Sequence, residues 1–318
     1  ILKGVLRMKI FSLGEALIDL IPLDAENMTF QKNPGGAPAN VSVGLARLGA
    51  DSYFLGAVGN DSMGHFLKDT LHHYGVRTDH LVHDATQKTG LVLVTNGQDG
   101  ERSFEFINAE RADMNFHETH VPEDFTSVDL LHIGSISLIT GEAVKATRKA
   151  IERAKAHQVP VSYDPNLRES LWPSLDEART TIRSVLPDAQ IVKLAEEELT
   201  FLTGQTDLDD GAAELLAEYP IRLLAITRGS EGSILYTDRA MAIIDAITVD
   251  AIDTTGAGDA FMSGLLYQCA LRNFSFDWSE DELRDIGRFA AISGGLAASV
   301  KGAMAALPTL DEVAHRLS

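Results

Sequence analysis

Residues 253–261 read D-T-T-G-A-G-D-A-F and carry the sharpest chemical signal in the chain. Gly256 and Gly258 let the backbone turn tightly and approach a ligand closely. Phe261, Leu265 and Cys269 then recur every four residues, the spacing of a helix that opens at the turn. The amides of Gly256, Ala257, Gly258 and Asp259 lack partners inside such a helix. They can converge on an anion, helped by the positive end of the helix dipole. A carboxylate that only bound an anion there would repel it; as a base, it takes a proton from a nucleophile attacking that anion. The turn therefore suits phosphoryl transfer to a hydroxyl with Asp259 as the base. The other reading of the same residues is an N-capping aspartate after a glycine turn.

Further loops must meet this turn, and the chain supplies them at strand ends. Residues 8–14 read as a buried strand closing on a glycine. Glu15 and Asp19 follow it, where open α/β sheets bind ligands, although solvated carboxylates would look the same. Gly35 and Gly36 form a turn into a helix over residues 41–48 that stops at Gly49. Paired glycines let a substrate lie against bare backbone, and Asn40 offers both a donor and an acceptor. A strand over 52–58 and a helix over 64–74 come next. The histidines of that helix, His65, His72 and His73, lack the convergent partners of a metal site.

Residues 89–95 and 103–107 then read as a hairpin, the second arm alternating with period two, and residues 19–32 can add strands to it. From residue 127 strands and helices alternate: strand 129–133, helix 141–157, strand 160–163, the pattern of a parallel sheet. The last strand ends in D-P-N-L-R, which crowds Asp164, Asn166 and Arg168 at one place; an Asp-Pro turn with a surface arginine would read the same way. A strand over 190–194 leads into Glu196, Glu197 and Glu198, which also suit a helix first turn. A strand over 221–227 runs into Gly229 and Gly232. A hairpin over 233–245, the helix after the glycine turn, and a second helix over about 281–299 complete the pattern.

The 318 residues contain 46 acidic and 27 basic side chains, a formal charge of −19. Nucleic acid and anionic membrane surfaces are thereby poor partners, and any nucleotide site must be local. Cys269 is the single cysteine, so no internal disulfide forms, which fits a reducing cytoplasm. No apolar run reaches the roughly 18 residues that span a bilayer. Residues 1–7 read as upstream leader before Met8, without the features of a signal peptide. Neither a G-x-x-x-x-G-K-[ST] loop nor an N-terminal G-x-G-x-x-G follows a strand.

The stretch 253–261 resembles the second signature of the ribokinase-like (PfkB) sugar kinases, D-T-x-G-A-G-D-x-F. Residues 35–49 are similar to their first, G-G-x-x-x-N-x-[ST]-x-x-x-x-x-x-[GS], and the likeness runs from about residue 9 to about residue 307. The resemblance implies a central, mostly parallel α/β sheet with helices on both faces, in one domain over residues 8–318. It also implies a small β-lid from about 20–34 and 87–112 that doubles as a homodimer clasp. The implied activity is ATP-dependent phosphorylation of a sugar hydroxyl. Asp259 would be the base, the amides of Gly256, Ala257 and Gly258 the anion hole, and Arg168 an aid to the sugar or the transferring group. Asp19, Gly35, Gly36, Asn40, Asp164 and Asn166 would contact sugar. Lys193, Thr227, Gly229, Gly232 and Gly258 would serve the nucleotide.

By the same resemblance Glu198 orders water around Mg²⁺, and Asp253 and Thr255, with the turn at residues 301–303, hold K⁺. Five positions depart from the family pattern: Ala195 and Ala291 stand where asparagines are usual, Asn60 begins an altered D-D pair, and Ile107-Asn108 replaces a tyrosine–arginine pair. Loss of that arginine favours a neutral sugar. Three strings, G-E-x-x-x-D from Glu15, D-P-N-x-R and K-L-A-E-E-E from Lys193, are those of fructokinases, which makes fructose to fructose 6-phosphate the expected reaction. Kinases of 2-keto-3-deoxygluconate or aminoimidazole riboside are the alternatives within the family. A non-catalytic sugar- or nucleotide-binding regulator is the alternative outside it. Phe104 and Phe106 share one strand face. A sugar pocket wants polar contacts, so that face is expected to pack against a second copy of the chain.

Overall fold

The computed structural model describes residues 8–97 and 102–317. Residues 1–7, 98–101 and 318, and the side chains of Arg102 and Phe104, lie outside that description, and with them the expected leader and part of the expected hairpin turn. The chain begins with β1 (Lys9–Leu13), β2 (Leu17–Pro22), β3 (Phe30–Gly35), α1 (Ala37–Arg47), β4 (Asp51–Gly59) and α2 (Ser62–His73). β5 (Arg77–Asp84), β6 (Gly90–Asn96), β7 (Arg102–Phe106), β8 (Leu130–Ile133), α3 (Glu142–Ala156) and β9 (Val161–Tyr163) follow. Next are α4 (Leu175–Arg183), β10 (Ile191–Ala195), α5 (Glu196–Thr203), α6 (Leu208–Glu218) and β11 (Leu223–Thr227). The chain closes with β12 (Ser233–Tyr236), β13 (Met241–Ile244), α7 (Ala257–Leu271), α8 (Glu280–Ala298) and α9 (Leu310–Leu317).

The main sheet runs in the order β13-β12-β11-β10-β9-β8-β1-β4-β5. From β11 to β5 every pairing is parallel, while β12 and β13 turn back antiparallel. Strands covered on both faces carry apolar residues on both, and β1 shows this with Ile10, Phe11 and Leu13, although the buried Ser12 interrupts the run. Ile10 packs on one face with Val41 and Leu45 of α1, Leu265 of α7, Ile286 of α8 and Val313 of α9. Phe11 and Leu13 pack on the other with Ala150 of α3, Ile182 of α4, Leu199 of α5 and Leu215 of α6. The parallel direction of β1, β8, β9, β10 and β11 brings Glu15, Gly134, Asp164, Ala195 and Thr227 to the same edge, where sheets of this kind bind ligands.

A second, smaller sheet has the order β3-β2-β6-β7. Its residues Leu17, Ile21, Val92, Val94 and Phe106 pack together on one face, whereas Ile18, Leu20 and Leu91 turn toward Leu67, Met63 and Phe66 of α2. This corrects the expectation for Phe106. Phe106 pairs with Val92, so it shares the inward face of the lid, and the Arg111 guanidinium lies 3.9 Å over its ring. β5, α4, α6 and α9 had no counterpart in the sequence reading. β5 carries Arg77, Asp79, His80, His83 and Asp84 at a sheet edge, where charged and polar side chains hide the strand signal.

α1 and α7 cross closely because Gly44 faces Ser263: a Cβ at Gly44 would lie 2.2 Å from Ser263 Oγ. In an exposed helix, Gly→Ala gains about 1 kcal/mol of propensity. Overpacking a buried contact costs about 1–3 kcal/mol. Gly44→Ala should therefore lower stability by about 1–2 kcal/mol in urea unfolding. A midpoint unchanged or raised would show that the two helices part without cost.

Candidate active site

Two cavities meet at the N-terminus of α7. One, of about 530 Å³, is lined by Thr227, Gly229, Gly232, Ala257, Phe261 and Ala291, among others. The other, of about 550 Å³, is lined by residues that include Glu15, Asp19, Gly36, Asn40, Phe106, Asn166, Arg168, Lys193, Gly256 and Asp259. Thr254 and Gly258 belong to both walls. The first is largely apolar and runs along glycine-rich backbone; the second gathers carboxylates and two cations.

The shared wall exists because the chain turns sharply before α7. Gly256 caps the helix with φ +80, and a Cβ there would meet Ala303 Cα at 3.2 Å. The Ala257 amide donates back to Thr254 O at 3.1 Å, which closes the turn. The expected set of anion-binding amides is corrected accordingly: Ala257 is taken, and the donors left by helix geometry are those of Gly258 and Asp259, next to Gly256.

Asp259 is buried at this helix start, and Asn40 Nδ2 donates to its Oδ2 at 2.7 Å. Burial holds the Asp259 carboxyl above its ordinary pKa, while Asn40, Lys193 and Arg168 pull it back. Asp19 sits on β2 at the rim, pushed up to about 7 by burial, with Arg168 opposing and Asp259 adding. Gly35 does not line the cavity; it makes room for this carboxylate, since a Cβ there would fall 2.3 Å from Asp19 Oδ2. Asn166 adopts φ +48, which turns the chain so that Arg168 reaches the same cavity.

Lys193 and Asp164 differ from expectation. Lys193 lies on the sugar-side wall, with Nζ 3.4 Å from where a Cβ of Gly258 would be, rather than in the apolar cavity. Asp164 stands behind it, 3% exposed, and accepts from Lys193 Nζ at 3.2 and 3.1 Å. Burial pushes Asp164 up and Lys193 draws it down again. For Lys193, burial favours the neutral amine, but Asp164 and Glu198 outweigh it and hold the ammonium charged. Both oxygens of Glu198 accept backbone amides, from Leu167 and Ala195, each at 2.7 Å. Glu198 thus clamps the start of α5 to the loop carrying Arg168.

Asp253 Oδ1 accepts from the Thr255 amide and hydroxyl at 3.1 and 2.7 Å, and Oδ2 accepts from the Gly302 amide at 3.0 Å. The structure therefore brings Asp253, Thr255 and the 301–302 turn together. Leu17, Val92 and Phe106 also line the sugar-side cavity and were not foreseen there. Their signal was available for Leu17, which stands two residues from Asp19 on one strand and so shares its face.

Residues 7–310 match the model of the pfkB family carbohydrate kinase. The probable fructokinase-6, chloroplastic, of Arabidopsis thaliana is 42% identical over 311 residues, covering 96% of this chain and 81% of that protein. The crystal structure of fructokinase with bound ATP from Xylella fastidiosa has a TM-score of 0.90 at 34% identity, covering 96% of this chain and 97% of that one. A fructokinase double mutant from Vibrio cholerae O395, in fructose, ADP and potassium ion bound form, has a TM-score of 0.89 at 37% identity, covering 99% and 100%. With both signatures, the two-sheet architecture and the paired cavities in agreement, the chain belongs to the pfkB family of carbohydrate kinases.

Proposed function

We propose that this carbohydrate kinase transfers the γ-phosphoryl group of ATP to a hydroxyl of fructose, giving fructose 6-phosphate. The observation that carries the reading is Asp259, a buried carboxylate at the wall shared by an apolar cavity and a polar one. ATP takes the apolar cavity, its phosphates directed past Thr227, Gly229 and Gly232 toward Gly258. The sugar takes the other, against Asp19, Gly36, Asn40 and Asn166. Asp259 accepts the proton of the attacking hydroxyl, and the amides at Gly256, Gly258 and Asp259 hold the charge of the transferring group. Arg168 and Lys193 add positive charge to that place, Lys193 aimed by Asp164.

Charge favours a neutral acceptor over an acidic one such as 2-keto-3-deoxygluconate. Glu15, Asp19 and Asp259 line the sugar side, and each one that is ionised repels an acidic sugar. Arg111, the arginine near Phe106, gives Nε and a terminal nitrogen to Asp113 at 3.0 Å each. Asn108, at the altered family position, bonds the backbone at Leu91 and Thr89. An assay coupled to ADP release, with fructose, 2-keto-3-deoxygluconate and aminoimidazole riboside as acceptors, tests the choice: turnover greatest with either of the latter two contradicts it, as does turnover with none.

Among the described residues no group of three or more His, Cys, Asp or Glu side chains could hold a metal. Mg²⁺ would be carried by the phosphates, with the remaining lone pairs of Glu198 reaching it through water. When bound, it neutralises phosphate charge. K⁺ fits beside Asp253 and Thr255, where it would steady the loop that forms the anion hole. The same reading takes residues 8–318 as one domain with its lid. It takes the exposed Leu23, Met28 and Ile107 of that lid as the surface joining a second copy, and the cytoplasm as the setting for the buried, free Cys269. No described helix is long and apolar enough to cross a membrane.

Asp259→Asn should leave sugar binding nearly intact and lower turnover roughly 10²–10⁴-fold, the scale of a lost general base. Wild-type turnover in that variant would remove Asp259 from the mechanism. K⁺ should raise turnover several-fold over tetramethylammonium at matched ionic strength, because a fixed cation there draws negative charge toward the anion hole. Equal rates in the two salts would exclude the site.

A further inference from the structure

Phe106 is the one aromatic side chain among the described residues that line the sugar-side cavity. It ends β7, the edge strand of the small sheet, and its ring is only partly buried. A side chain at the end of an edge strand has a paired strand on one side alone, which leaves its rotamer weakly fixed. Here the ring is held from outside the cavity. Past Phe106 the chain stays beside β6: the Ile107 amide donates to Leu91 O and the Ala112 amide to Lys88 O, each at 2.9 Å. That path returns Arg111 to the ring, with its guanidinium 3.9 Å over the centroid. Asp113 fixes the guanidinium in turn, Nε donating to Oδ1 and a terminal nitrogen to Oδ2 at 3.0 Å each. Both members of the pair are buried, in a notch left by Gly90 of β6. A Cβ at Gly90 would lie 3.2 Å from Arg111 Cδ and 3.2 Å from Asp113 Oδ1. Neither Arg111 nor Asp113 lines the cavity. A buried ion pair is a weak source of stability, because desolvation offsets the attraction. What this pair supplies is orientation: the fork binds a carboxylate while the flat face covers a ring, a double task that the planar guanidinium allows.

We propose that Arg111 is a positioning residue for the sugar: held by Asp113, its guanidinium fixes the Phe106 ring as the apolar wall against which the carbon face of the acceptor lies. The proposal rests on the reading of this cavity as the sugar site. A monosaccharide presents hydroxyls at its edges and C–H groups on its faces. Asp19, Asn40 and Asn166 serve the hydroxyls. A flat ring serves a face, and it adds orientation as well as apolar area. Between the guanidinium and the paired Val92, the ring is kept to one position. A wall ordered in advance lowers the entropy lost when the sugar binds. Arg111 therefore acts on affinity for the acceptor, and not on proton transfer at Asp259 or on the nucleotide.

A double-mutant cycle over Arg111→Lys and Phe106→Leu separates this role from support of the fold. Lysine keeps a positive charge beside Asp113 but has no planar fork to lie on the ring. Leucine keeps an apolar wall but no ring face. R111K should raise the KM for fructose, or for whichever acceptor the wild type phosphorylates, by about fivefold, with kcat and the KM for ATP within about twofold. In the F106L background the same change should leave the acceptor KM within about twofold, since no ring remains to be held. A structural role would instead lower kcat and the unfolding midpoint, equally in both backgrounds. An acceptor KM in R111K less than about twofold above wild type overturns the proposal, as does a rise of equal size with and without Phe106. If R111K does not fold, Asp113→Asn is read in its place. It loosens the fork while keeping one acceptor for Arg111, and should raise the acceptor KM only where Phe106 is present; an unchanged KM, or the same rise in both backgrounds, overturns the proposal likewise. F106L alone should also raise the acceptor KM. An unchanged KM there would mean that no sugar lies against the ring, which removes the proposal together with its ground. A raised KM in F106L with none in R111K removes the role of Arg111 alone.

Discussion

The hydrogen bond from Asn40 to Asp259 joins side chains 219 residues apart in sequence at 2.7 Å, and the rest of the site depends on it. It requires the first turns of α1 and α7 to lie against each other. That approach needs Gly44 opposite Ser263, and the sharp entry to α7 needs Gly256 at φ +80. It also requires both helices to sit at the ligand-binding edge of the sheet, which their packing on Ile10, Leu130 and Ile191 provides. A carboxylate aimed by an amide on a facing helix is held in orientation without being neutralised, as a base in a water-poor site must be.

Electrostatics around this pair work through burial opposed by few cations. Glu15, Asp19, Asp164 and Asp259 all sit above their ordinary pKa because burial disfavours their charge. Lys193 and Arg168 limit the rise for Asp164 and Asp259 without abolishing it. Such an arrangement is a weak source of stability, since desolvation of buried ions offsets much of their attraction. Its use is positional: Asp164 fixes Lys193 beside Gly258, and Glu198 fixes the Arg168 loop to α5. In a chain of net charge −19, Lys193 and Arg168 at this edge give an anionic phosphoryl group a local place to bind.

The sheet, its parallel direction and the glycine turn were legible in the sequence because each leaves a local signature: apolar runs ending on glycine, and a helix spacing starting at Asp259. Asp19, Asn40 and Arg168 were legible through motifs. What escaped was pairwise. Asp164 looks like a pocket carboxylate in sequence, and only the neighbouring strand reveals that Lys193 takes it. Phe106 was assigned outward on polarity grounds, whereas pairing with Val92 turns it inward, where a pocket also needs apolar walls. The Ala257 amide is lost to a turn hydrogen bond that spacing does not reveal. β5 was hidden by its polar edge composition, and α4, α6 and α9 by the absence of a motif to draw attention to them.

The central claim is that Asp259 is a base whose strength is set by burial against the hydrogen bond from Asn40. The most direct measurement is the acid limb of kcat against pH in the wild type and in Asn40→Ala. Activity falls as the pH drops through the pKa of the base. A hydrogen bond to the charged form lowers that pKa, and losing it should move the limb upward by about one to two pH units. The contact proposed between Asn40 and the sugar would show separately, in KM, and does not by itself move the limb. An acid limb at the same pH in both proteins would contradict the account.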